Sequence, residues 1–129
     1  MSKLILVVDD DTDFLDQFEL KLESLGYQVR TAAGYAPAQE ALQQARPDLA
    51  IVDLMMEEQD AGFRLCFELK QRFPRMPVIL VSGVTGATGL EFDAATDEER
   101  SWIKADAFLD KPIRFEQLQR EIQRLLQTT

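Results

Sequence analysis

A chain of 129 residues, 46% hydrophobic and 29% charged, is long enough to bury a core without disulfides, and it reads as one domain spanning 1–129. No apolar run approaches the ~20 residues of a membrane span, and "MSKLILVV" meets Asp9 too early for a signal peptide, so a cytoplasmic protein with no membrane contact is expected. A net charge of −9 argues against direct nucleic-acid binding by this domain, while the lack of histidine and a single cysteine, Cys66, remove Ser/His/Asp, Cys/His and the usual zinc chemistry.

Five short runs rich in apolar, often β-branched residues predict strands: "KLILVV" (3–8), "QVRTA" (28–32), "DLAIVD" (48–53), "PVILVS" (77–82) and "DAFLD" (106–110). Helical periodicity fills the gaps. It covers 12–25, with Phe14, Leu15, Phe18, Leu22 and Leu25, then the Ala-rich 35–45, then 62–73, with Phe63, Leu65, Cys66, Phe67 and Leu69. Asp11 or Thr12 is placed to cap the first helix, Gly26 to close it, and Pro47 and Pro74 to end the next two. Residues 83–105 begin as a Gly/Thr-rich loop and continue, over about 94–104, into a helix carrying Trp102. The last segment opens with Pro112 and repeats Phe115, Leu118, Ile122, Leu125 and Leu126 along one helical face. Strands this apolar, alternating with helices, predict an α/β fold with a parallel sheet covered on both faces.

In such sheets ligands bind beyond the carboxyl ends of the strands. The polar residues expected there are Asp9 and Asp10 after the first strand, Asp53 after the third, Ser82 after the fourth and Lys111 after the fifth; the second strand ends without a comparable group. Three carboxylates on one edge repel one another unless a cation or lysine neutralises them. Oxygen ligands without His or Cys suit a hard cation, and Mg²⁺ fits best because it takes few carboxylates and keeps room for a phosphoryl oxygen. A carboxylate beside Mg²⁺ and a lysine can act as a nucleophile and form an aspartyl-phosphate.

The ordered set "VVDDD", "IVDLMM", "VILVSG" and "AFLDKP" resembles the receiver domain of two-component response regulators over essentially the whole chain. The resemblance implies a flavodoxin-like (βα)₅ fold with strand order 2-1-3-4-5. It also implies that Asp53 accepts a phosphoryl group from a phosphohistidine on a sensor histidine kinase or phosphotransfer protein. Asp10, Asp53 and the Met55 backbone carbonyl would bind Mg²⁺, with Asp9 acting through water, while Lys111 and Ser82 contact the phosphoryl oxygens. Phe108 would be the switch aromatic, turning inward as Ser82 moves toward the phosphate and reshaping the face built from the 94–104 helix, the fifth strand and the last helix. Output would pass through that face to a partner or to an output domain outside this chain, or through a homodimer. Such a protein is a signalling switch rather than an enzyme.

Two departures from the family pattern concern the loops. Glu57 stands where a proline is common, with Gly62 one position late, and residues 83–105 are long and lack a Gly before the alanine of the fifth strand. Reshaped loops are expected there. Met55 and Val84, at positions where the family varies the lifetime of its phosphate, are apolar and offer nothing to orient water, which predicts a long-lived phosphorylated state.

Simpler explanations exist for several residues. Cys66 reads as inert core, Trp102 as packing before partner anchor, and Glu57, Glu58 and Asp60 as a solvated loop. Phe108 would serve equally as strand core. A haloacid-dehalogenase-type phosphatase needs Thr or Val where Asp13 stands, a flavodoxin needs a phosphate-cradling loop after the first strand, and a receiver-like interaction module independent of phosphorylation has only the altered loops in its favour.

Overall fold

Strands as apolar as LILVV, LAIVD and VILVS call for burial on both faces between two layers of helix, and the computed structural model of the chain has that arrangement. It describes residues 3–53, 61–82, 106–110 and 114–127. The elements run β1 (Leu4–Val8), α1 (Thr12–Ser24), β2 (Gln28–Ala32), α2 (Tyr35–Gln44), β3 (Leu49–Asp53), α3 (Ala61–Arg72), β4 (Val78–Ser82), β5 (Ala107–Asp110) and α4 (Phe115–Gln127). The strands pair in parallel in the order β2-β1-β3-β4-β5. Among the described residues, fold class, strand order and element positions agree with the sequence reading to within a residue or two, except that the last helix begins at Phe115 and not near Pro112. The 94–104 helix, Trp102 and Pro112 lie outside the described residues.

The period-two alternation of the strands divides the core into two layers. Leu6, Val8, Ala50, Val52, Val78 and Leu80 pack with α2 and α3, through Ala38, Leu42, Leu65 and Leu69 among others. Ile5, Val7, Ile51, Ile79, Val81 and Leu109 point the other way onto α1 and α4, meeting Leu15, Phe18, Leu22, Leu118 and Ile122. Fully burying one such aliphatic side chain contributes about 1.5–3 kcal/mol, so a one-residue register slip in a central strand would be prohibitive.

Local signals set the helix ends. Asp11 is the cap of α1: its Oδ1 accepts from the backbone N–H groups of Asp13 at 3.0 Å and Phe14 at 3.3 Å. At the other end Gly26, with φ +96°, donates to the Glu23 carbonyl at 3.0 Å, and Tyr27 donates to Leu22 at 3.3 Å. This is a Schellman closure, and its left-handed residue favours glycine.

Two residues read as part of apolar helical faces lie at the surface instead. Leu25 is 42% exposed because it is the residue capping α1, past the turn that packs. Phe67 is 37% exposed; the buried stripe of α3 runs through Leu65, Cys66 and Leu69, and at ~100° per residue Phe67 falls on the opposite side.

Candidate functional site

β1 and β3 are neighbours, paired so that Val8 lies beside Val52. The next residue on each strand is an aspartate, Asp9 and Asp53, so adjacency in the sheet brings together two carboxylates far apart in sequence. With Asp10 they form a cluster in which each offers a carboxylate oxygen, all within 4.8 Å of one another. Asp9 is 1% exposed and Asp53 3%, while Asp10 faces solvent.

The turn is held from both sides. The Asp9 N–H donates to the Ala32 carbonyl at the end of β2 at 3.1 Å, and Asp9 Oδ1 accepts the Asp11 N–H at 2.9 Å. Asp11 then caps α1, with Asp13 in the first turn favourable to the helix dipole. The four carboxylates between Asp9 and Asp13 therefore divide: Asp9 and Asp10 belong to the cluster, Asp11 and Asp13 to the start of the helix. The Ala32 carbonyl was not legible in the sequence, since a main-chain acceptor carries no residue-type signal.

Like charges at such separations repel by roughly 3 kcal/mol per pair even at an effective dielectric near 20. Two of these groups also have almost no access to water. An all-oxygen donor set with one solvent-facing member matches a hard divalent cation entering from that side, so the cluster could hold a metal ion.

β4 adds Ser82 at the same edge. Asp53 pairs with Val81, which places the Ser82 backbone one residue further along. Ser82 in turn pairs with Asp110 on β5, the residue before Lys111, and Phe108 pairs with Leu80, on β5 two positions before Asp110. Met55 and Lys111 lie outside the described residues, as do Glu57, Glu58, Asp60 and Val84.

A second polar group sits between α2 and α3. The Tyr35 hydroxyl donates to the Glu68 carboxylate, Gln39 Nε2 donates to it at 2.6 Å, and the Arg64 guanidinium lies 5.5 Å from the centre of the Tyr35 ring. The hydrogen bond to Glu68, with burial adding to it, raises the Tyr35 phenol above its ordinary value. These contacts join two helices of one layer.

The response regulator receiver domain family matches residues 5–123. The alkaline phosphatase synthesis transcriptional regulatory protein PhoP of Bacillus subtilis is 32% identical over 112 residues, covering 87% of this chain and 43% of that protein. The transcriptional regulatory protein GltR of Pseudomonas aeruginosa is 34% identical over 127 residues, or 97% of this chain and 49% of that protein. The chain thus spans less than half the length of these two relatives. Among solved structures, a CheY-like response regulator receiver domain protein of Methanospirillum hungatei superposes with a TM-score of 0.83 at 28% identity, over 99% of this chain and 96% of that one. Vibrio cholerae chemotaxis protein CheY4 gives 0.81 at 26% identity, over 98% and 100%.

Proposed function

Because the chain belongs to the response regulator receiver domain family, we propose that it is a phosphorylation-controlled switch of a two-component system, with Asp53 as the phosphoacceptor. The observation that carries this reading is the burial of Asp53 against Asp9, with an oxygen of the exposed Asp10 within 4.8 Å of theirs. Two nearly water-free carboxylates and a third open to solvent suit a cation-assisted reaction better than a solvated loop.

In the proposed step an Asp53 carboxylate oxygen attacks the phosphorus of a phosphohistidine on a sensor histidine kinase or phosphotransfer protein. The O–P bond forms, the P–N bond breaks, and the imidazole leaves with the electron pair. Asp10, Asp53 and the Met55 carbonyl would hold Mg²⁺, with Asp9 reaching it through water. When bound, Mg²⁺ supplies charge neutralisation at the transferring oxygens. Asp9, anchored to Ala32 and Asp11, keeps the first turn from moving away as charge redistributes. Ser82 and Lys111 would donate to the phosphoryl oxygens, and Phe108 would follow Ser82 inward.

The chain would act as a cytoplasmic signalling domain and not as a turnover enzyme. Its output would pass to a partner, a second copy or an attached domain through the face that includes β5 and α4. Incubation with a small-molecule phosphodonor, with and without Mg²⁺, tests this by intact mass. One phosphoryl adduct that requires both Mg²⁺ and Asp53, and is absent from Asp53→Asn, is expected. A wild-type protein that binds Mg²⁺ weakly and gains no adduct from either the donor or a histidine kinase would overturn the reading.

A further inference from the structure

At the sheet edge opposite the aspartate cluster, the strands begin around an open groove of about 830 Å³. Its lining carries three cations, Lys3, Arg46 and Arg75, together with the buried Met76 and Pro77 and the part-exposed Leu126. In a chain of net charge −9 such a concentration of positive charge is unusual.

The two carboxylates in the groove, Asp48 and Asp106, are committed to the sheet. Asp48 Oδ2 accepts the Leu4 N–H at 2.8 Å while the Asp48 N–H donates to the Leu4 carbonyl at 2.7 Å. Asp106 repeats the arrangement with Val78, at 2.8 Å in each direction, and also pairs with Lys70 at 2.9 Å. Each is a reciprocal clasp that starts a strand. The cations hold no strand in this way, and Lys3, Arg46 and Arg75 make no ion pair among the described residues. Arg46 instead lies 5.3 Å from the centre of the Phe73 ring, and Arg72 lies 5.2 Å from the same ring, adding a further positive charge beside the groove.

We propose that this groove is a docking site for an acidic, partly apolar peptide segment of a partner protein. Its carboxylates would meet Lys3, Arg46 and Arg75, and an apolar side chain would rest on the part-exposed Leu126 beside them. Charge complementarity selects the occupant, since surplus cations beside an apolar contact at Leu126 favour acidic residues interspersed with apolar ones. A partner docked there leaves the Asp9, Asp10 and Asp53 edge clear.

The test is a titration of isotope-labelled protein, followed by amide NMR, with a short peptide of Glu-Glu-Leu repeats and a control of Lys-Lys-Leu repeats. The acidic peptide is expected to shift amides around Lys3, Arg46 and Arg75, and to weaken about tenfold in an Arg46→Glu/Arg75→Glu variant and at high salt. Folding of the variant is checked by its unchanged amide spectrum away from the groove. No shifts there at millimolar peptide, an equal response to the lysine peptide, or undiminished binding by the variant would overturn the proposal. So would inorganic tripolyphosphate shifting the same amides when the acidic peptide does not, which would make the groove a small-polyanion site.

Discussion

Asp9 and Asp53 sit side by side one residue past the Val8–Val52 pair, both almost fully buried, and this juxtaposition stores electrostatic repulsion in the metal-free protein. Asp53→Asn removes one of the like charges at little change in volume. In EDTA the variant should be more stable than wild type by about 1–3 kcal/mol, the relief of one like-charge pair less the favourable contacts Asp53 gives up, a rise in Tm of several degrees for a domain of this size. Thermal unfolding by circular dichroism checks it, and an unchanged or lowered Tm would contradict the repulsion argument.

Adding Mg²⁺ should have the opposite bias. A cation bound only by the folded state stabilises it by RT ln(1 + [Mg²⁺]/Kd), about 2.7 kcal/mol when the ion is at one hundred times Kd. Wild type should therefore gain Tm steadily with Mg²⁺, while Asp10→Asn and Asp53→Asn gain much less. Equal gains in all three would place the ion elsewhere.

Asp11 serves the helix rather than the cluster, and its loss should be felt as a capping defect. Asp11→Ala leaves the Asp13 and Phe14 N–H groups without their acceptor and should cost about 1 kcal/mol, whereas Asp11→Asn, a comparable cap, should cost much less. Urea denaturation of the two variants separates them. Similar losses would mean that charge at this position, and not the cap, matters.

Burial pushes the Cys66 thiol from an ordinary 9.0 up to about 12, with Lys70 opposing the shift and Asp106 adding to it. A raised value means that the folded state holds the proton more tightly, so this contribution to stability is intact below about pH 9 and is lost as pH rises toward 12. At pH 8 a disulfide reagent should label Cys66 only as fast as the protein opens, and labelling should become rapid in denaturant. Immediate stoichiometric labelling of the native protein would place the thiol at the surface.

The lifetime of the phosphorylated state provides a further check on the acceptor site. Replacing Met55 by Asn and Val84 by Glu introduces groups able to orient an attacking water, and the double variant should lose its phosphoryl adduct several-fold faster than wild type. Decay followed by mass after removal of the donor decides it; an unchanged rate would show that these positions do not govern hydrolysis.

The alternation of strands and helices, a helix cap at Asp11 or Thr12, the closing glycine at Gly26 and the strand-end positions of Asp9 and Asp53 were all legible in the sequence, and the structure then chose Asp11 as the cap. Each of these is local physics: side-chain periodicity, a cap within three residues of its donors, or a backbone angle that favours glycine. The exposure of Phe67 and Leu25 was not legible in the same way, because apolar character alone does not say which side of a helix meets the sheet. That Asp9 and Asp53 share a buried edge follows instead from β1 pairing with β3 and from the residue-by-residue register of the two strands. The tertiary structure likewise decided that Lys3, Arg46 and Arg75 would meet around one groove. Residues distant in sequence acquire a common environment only when parallel pairing aligns the starts of the strands on one edge and their ends on the other.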